Sequence, residues 1–170
     1  SDPNDAELLK TLMALGREKG GLLPTHRDAI LAEIEKDGTP NLELTRKVIQ
    51  LVRDRGTKDE IVIQSFSPIV CAVALIEAPE MRTELLASGS DENPQQWPYF
   101  LAWAEMLNVH GFNCNKNMVT RDLVDDFHER GATLAVWTVN SEEDMRKLAD
   151  MGVDLLITDK PDVCLEVLGR

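Results

Sequence analysis

The chain has 170 residues, 43% apolar and 28% charged, which is enough for one domain with a sizeable core and is unlike a disordered segment. Its formal charge of −12 and pI near 4.6 argue against nucleic-acid backbones and anionic membrane surfaces as partners, since both reward stripes of Lys and Arg. No apolar run reaches the ~18 residues that a membrane span needs, and the acidic, polar start Ser1-Asp2-Pro3-Asn4-Asp5 has no signal-peptide pattern.

Asp5 is placed to cap a helix whose apolar positions Leu8, Leu9, Leu12, Met13 and Leu15 follow helical spacing, and Lys19-Gly20-Gly21 stops it. A second helix is expected from Thr25 to Lys36, opened by Thr25 with Asp28 and closed by Gly38. The stretch Pro40-Asn41-Leu42-Glu43-Leu44-Thr45 has two readings. Its polar/apolar alternation fits a short strand, whereas Thr39 as cap with Pro40 at the first helical position would start one helix reaching Arg55. On either reading Lys47 to Arg55 is helical, with Gly56 as terminator.

Beyond Gly56 strands and helices alternate. Strands are expected at Ile61–Phe66, Arg82–Ala87, Val109–Asn113, Thr133–Val139 and Val153–Thr158. Helices are expected at Pro68–Ala78, Phe100–Leu107, Thr120–Glu129, Ser141–Met151 and Val163–Leu168, with a polar loop over Ser88–Pro98. Such alternation with short connections implies parallel pairing in an α/β architecture, read as a single domain over residues 1–170. About six strands with two leading helices fall short of the eight in a (β/α)8 barrel.

Cys71, Cys114 and Cys164 are odd in number, far apart and flanked by apolar residues, so they indicate buried thiols rather than a zinc site or a disulfide framework.

The strand Thr133–Asn140 (TLAVWTVN), a helix, then Leu155–Pro161 (LLITDKP) together resemble the last two βα units of the glycerophosphodiester phosphodiesterases. Ile61–Phe66 (IVIQSF) is similar to that family's mid-barrel strand, and Leu23-Pro24-Thr25 to the tripeptide before one of its helices. The resemblance implies a TIM-type (β/α)8 barrel seen from about its third strand onward. It also implies metal-assisted hydrolysis of a small glycerophosphodiester to an alcohol and glycerol 3-phosphate. The cofactor it implies is a divalent cation, Ca2+ or Mg2+, whose hard oxygen ligands would be carboxylates.

Carried over residue by residue, Glu43 matches the family's metal-binding Glu in a strand of the form Asn-Ile-Glu-Ile-Lys, which favours the strand reading of Asn41–Thr45. Thr45 stands where that family has a phosphate-contacting Lys; its hydroxyl can bond a phosphate oxygen but supplies no charge. A rival register places Glu33-Ile34-Glu35 there. Trp137, at the C-terminal end of its strand, is the expected wall of a glycerol pocket, and Ser65 is expected at the mouth. Catalytic residues are expected to be absent from this chain, because no His-Arg-Gly, Glu-x-Asp or His-Asp pair precedes these blocks. His26-Arg27-Asp28 opens a helix, His128 lies on an acidic helix, and His110 adjoins a strand that would reach the mouth. Asn140 and Asp159 are expected to tie down loops, and Trp97, Tyr99, Phe100 and Trp103 form an aromatic cluster with two readings, the packing of a barrel helix or a lid over a substrate pocket. The alternative to the enzyme is an inactive homologue or fragment that only binds phosphate or glycerol ligands.

Overall fold

The computed structural model describes residues 5–19, 26–89 and 95–170, so the expected Thr25 cap, the Leu23-Pro24-Thr25 match and part of the Ser88–Pro98 loop lie outside the described residues. The chain divides into two units, one comprising residues up to Leu85 with Tyr99–Val109, the other Leu86–Pro98 with His110–Arg170. The fold is of the α/β, TIM-barrel type. Five strands appear among the described residues, short of the eight that close such a barrel.

The first unit begins with α1 (Ala6–Lys19) and α2 (Arg27–Asp37), followed by α3 (Pro40–Arg55). The expected strand at Asn41–Thr45 is not formed. Pro40 occupies the start of α3, Thr39 is its N-cap and accepts a hydrogen bond from the Asn41 N–H, and Leu42, Thr45, Ile49 and Val52 give the helix one buried face. Helical spacing from Leu42 to Val52 buries four side chains on one face, and the cap satisfies a free N–H; the alternation over six residues had neither. Gly38 and Gly56 end α2 and α3 in the left-handed region, at φ 73° and 67°, which a glycine adopts without steric cost. Glu33-Ile34-Glu35 lies within α2, where Ile34 is buried and Glu35 pairs with Arg46.

Strand β1 (Val62–Ser65) follows and pairs in parallel with β2 (Arg82–Ala87), with Gln64 opposite Glu84. Between them α4 (Pro68–Glu77) is apolar almost all round and correspondingly buried from Pro68 to Leu75, Val70 being partly so. Ile63 of β1 packs with Ile49 and Val52 of α3 and with Ala74, Ala78 and Met81 beyond. Residues alternate across a strand, so Val62 and Gln64 face away from these helices. Helix α5 (Gln96–Leu107) starts four residues earlier than expected. A Cβ added at Gly16 of α1 would meet the Met106 sulfur of α5 at 1.9 Å, so a larger residue there requires the Met106 side chain to turn aside.

The second unit contains β3 (Gly111–Asn115), a 3-10 turn (Lys116–Met118), α6 (Arg121–Glu129), β4 (Thr133–Trp137), α7 (Glu142–Asp150), β5 (Leu155–Leu156) and α8 (Pro161–Val167). Strand β4 pairs in parallel with β3 on one side and β5 on the other. The strand expected over Val153–Thr158 contracts to two ladder residues, although the Ile157 N–H still reaches the Val136 carbonyl at 2.8 Å. Thr120 and Ser141 cap α6 and α7 as expected, accepting from the Leu123 and Asp144 N–H groups. The core of this unit joins Val136, Val139, Met145, Leu148 and Cys164, and Phe112 stacks on Phe127 with ring centres 4.7 Å apart.

Candidate functional site

In βα barrels chemistry is done at the C-terminal ends of the strands. In the second unit that end carries Asn115 at the end of β3 with Lys116 after it, Trp137 at the end of β4, and the loops holding Asn140 and Asp159. Val136 faces α7 and α8, so alternation turns Thr133, Ala135 and Trp137 to the other face of the sheet. The register places Asn113 opposite Ala135 and Asn115 opposite Trp137, on that same face. Trp137 is half-buried there, and the Trp137–Thr138 peptide is cis.

The loops around Trp137 are held by short polar links. The Asn140 side-chain oxygen accepts from the Thr158 hydroxyl at 3.1 Å and the Asp159 N–H at 3.0 Å, and its amide donates to the Asp159 carboxylate at 2.8 Å. Both residues therefore anchor loops, as expected. Lys116 donates to Asp144 at 2.5 Å, and the Ser141 hydroxyl donates to the same oxygen at 2.7 Å. Lys116 first, and the Ser141 bond after it, hold the Asp144 carboxyl below its ordinary range. The ammonium nearest the end of β3 is thus neutralised within its own unit.

In the first unit, Thr45 and Ser65 line one groove of about 370 Å3 between α3 and β1, with Leu44, Val48, Ile61 and Val62 among its walls. Neither hydroxyl is presented simply to solvent. The Thr45 hydroxyl donates back to the Asn41 carbonyl at 2.6 Å, one turn earlier in α3, and Ser65 accepts the Ser67 N–H at 3.0 Å in a loop turn. Among the described residues that line the groove none is charged, so these residues offer no counter-charge to a phosphodiester.

Glu43 lies on the exposed surface of α3, where its carboxylate meets Lys47 at 2.6 Å, one helical turn on. The hydrogen bond from Lys47 holds the carboxyl below its ordinary range. Among the described residues no three His, Cys, Asp or Glu side chains converge on a point, so these residues alone do not fit a hard divalent cation, which takes ~6 or more oxygen ligands.

The three histidines occupy other positions. His26 precedes α2, and His128 lies 2.9 Å from Asp154 on the outer helix α6. His110 precedes Gly111, so it sits at the N-terminal end of β3 and not at the mouth. Trp103 is fully buried, with Tyr99 edge-on to it, and Trp97 stands edge-on to Phe112, contacts that fit the packing reading of these aromatic residues.

Two inward polar residues escaped the sequence reading. Glu84 of β2 is 2% exposed, accepts from Arg82 at 2.7 Å and Gln64 at 2.9 Å, and is revealed only by a charge inside the otherwise apolar run Glu84-Leu85-Leu86-Ala87. Asn113 of β3 is fully buried, and its signal was a polar residue between Phe112 and Cys114.

Residues 29–163 match the model of the glycerophosphoryl diester phosphodiesterase family. A glycerophosphodiester phosphodiesterase of Caldanaerobacter subterraneus is 25% identical over 161 residues, covering 89% of this chain and 64% of that protein. Among solved structures, one from Silicibacter pomeroyi described as a glycerophosphoryl diester phosphodiesterase superposes with a TM-score of 0.67 at 27% identity, covering 79% of this chain and 46% of that one. A glycerophosphodiester phosphodiesterase of Parabacteroides distasonis gives a TM-score of 0.63 at 23% identity over 76% of this chain and 51% of its own. An Oleispira antarctica phosphodiesterase, solved with its product sn-glycerol-3-phosphate, shares the fold at 18% identity and a TM-score of 0.62. The chain thus spans less than two thirds of the first relative and about half of the solved ones. With four fifths of its length matched by one family model, and the WTVN and ITD-x-P blocks standing at the end of β4 and directly after β5, the chain belongs to the glycerophosphoryl diester phosphodiesterase family.

Proposed function

We propose that this chain supplies the glycerol-side wall of a phosphodiesterase that hydrolyses glycerophosphodiesters to an alcohol and glycerol 3-phosphate, with Trp137 as the residue that contacts the glycerol moiety. The observation that carries this reading is the place of Trp137: the C-terminal end of β4, on the sheet face turned away from α7 and α8, beside Asn115. An indole face excludes water from one side of a small polyol while neighbouring amides bond its hydroxyls. The solved product complex of the Oleispira protein supports the ligand class by fold likeness.

Hydrolysis of a phosphodiester needs an acid for the leaving alkoxide, an activated water and neutralised phosphoryl charge. The described residues around Trp137 offer positioning for this chemistry, and the His128–Asp154 pair lies beside Leu134 near the other end of β4, so no proton step is assigned to them. A divalent cation, where the family reading applies, would polarise the phosphoryl oxygen. Glu43 is the one carboxylate carried over to it, and it would have to leave Lys47 to serve.

A second reading is a homologue that binds glycerol or phosphate ligands without turnover, favoured by the neutralised Lys116 and the uncharged groove. The test is release of glycerol 3-phosphate from glycerophosphocholine with Ca2+, Mg2+ or Mn2+, by this chain joined to a family front half bearing the His-Arg-Gly and Glu-x-Asp motifs. Metal-dependent release supports the enzyme; glycerol 3-phosphate binding with no release under any of the three metals supports the second reading.

A further inference from the structure

Strand β3 ends in Asn115, whose partner across the ladder is Trp137. Neighbouring strands lie about 4.8 Å apart, and side chains paired across them share one face, so both residues reach the same small ligand. Lys116, the next residue, turns the other way and donates to Asp144 of α7. Alternation requires this when Asn115 faces away from that helix. Asn115 and Trp137 are both half-buried.

The two ends of the Asn115 amide are not equivalent. Its oxygen accepts the Asn117 N–H at 2.9 Å, in the turn that opens the 3-10 segment. Only an oxygen can accept there, which fixes the orientation of the amide. The nitrogen, with its two donors, lies on the far side of the amide from that bond. Among the described residues it donates to no protein group.

The charge next to it is already used. Asp144 holds the Lys116 ammonium at 2.5 Å, and the Ser141 hydroxyl donates to the same carboxylate oxygen. A neutral amide beside an indole suits a hydroxyl on a carbon chain. A phosphoryl oxygen finds its strong partners in charged donors.

We propose that Asn115 determines specificity together with Trp137, its side-chain nitrogen donating to a free hydroxyl of the glycerol moiety while the indole covers the carbon chain. This assignment rests on the reading of Trp137 as the glycerol wall. A diester whose alcohol lacks that hydroxyl strips water from the amide and returns no partner, so it binds more weakly. The Asn117 N–H holds the side chain in place beforehand, which lowers the ordering cost when the ligand arrives.

The test uses the joined protein described above, with glycerophosphocholine as substrate. Propyl phosphocholine, the same diester without the two glycerol hydroxyls, serves as competitive inhibitor. Asn115→Ser keeps an oxygen for the Asn117 N–H and removes the amide. The backbone of Asn115 is extended, at φ −65° and ψ 139°, so serine adds no strain. KM for glycerophosphocholine should rise about tenfold with kcat little changed, while Ki for propyl phosphocholine stays within about twofold. Asn115→Thr repeats the measurement should the serine variant misfold. An unchanged KM overturns the assignment. An equal rise in KM and Ki also overturns it, and gives the amide to the phosphoryl group or to the loop alone. If the unsubstituted protein releases no glycerol 3-phosphate, the functional reading falls and this assignment with it. A KM that Trp137→Ala raises and Asn115→Ser does not overturns this assignment alone.

Discussion

The Thr39 hydroxyl donates to the Asp5 carboxylate at 2.9 Å, joining the start of α1 to the cap of α3 across 34 positions of chain. The other Asp5 oxygen accepts the Asn41 side-chain amide at 2.8 Å, and both Asp5 and Thr39 are buried. Thr39 therefore has two roles, accepting from the Asn41 N–H as a cap and donating to a buried acceptor. Thr39→Ala should cost about 2 kcal/mol, roughly 1 for the cap and the rest for the acceptor left short of a donor. Thr39→Ser should cost under about 1 kcal/mol, since both bonds survive. Urea unfolding midpoints measure both; equal losses would reject the double role.

The buried Glu84 carboxylate depends on the half-exposed Arg82. Arg82→Met leaves a buried charge without that partner and should cost about 3 kcal/mol, whereas Glu84→Gln keeps the shape and removes the charge, at about 1 kcal/mol. The order of the two thermal midpoints decides. A milder loss for Arg82→Met would mean that Gln64 and the rest of its surroundings suffice for the carboxylate.

Burial pushes the Cys71 and Cys114 thiols up to about 12. The thiolate is the reactive form, so neither should react with a disulfide reagent in the native protein at pH 8, and both should do so in urea. A folded-state value above the unfolded one, near ~8.5, means that this stability is fully present below about pH 8.5 and is lost as pH rises towards 12. Cys71→Ala should flatten that alkaline decline in the urea midpoint. Rapid labelling of Cys71 or Cys114 in the native chain would contradict their burial.

Asn140 links its own loop to the one after β5 through three hydrogen bonds. Asn140→Asp removes the amide donor and sets a second carboxylate against Asp159, for an expected loss of roughly 1–3 kcal/mol that lessens as pH falls through the carboxylate range. Thermal melts at pH 7 and pH 4 compare the two conditions. A loss independent of pH would rule out the charge contribution.

Much of this architecture was legible in the sequence because local signals agreed with the fold. Thr120 and Ser141 with their following residues foretold α6 and α7, and the β-branched run at Ile61–Phe66 foretold β1. Asn41–Thr45 was ambiguous because five alternating residues fit either period, and what favours the helix is its buried face together with a cap whose Thr39 and Asn41 also bond Asp5, far away in sequence. The same cause limited the site. Trp137 is positioned by strand alternation, which sequence carries, whereas Thr45 is positioned by α3, and its hydroxyl therefore turns back on the helix. Glu84 was missed because burial of a single charge in a strand depends on its cross-strand neighbour Gln64.

The central claim is that Trp137 contacts the glycerol of the substrate. Its most direct test is Trp137→Ala in the assembled barrel, read as glycerol 3-phosphate release from glycerophosphocholine. We expect kcat/KM to fall by about tenfold to a hundredfold, equivalent to ~1.4–2.8 kcal/mol, with most of the change in KM. Trp97→Ala, on the edge of Phe112, should leave KM unchanged. An unaltered KM in Trp137→Ala, with the fold retained, would contradict the account.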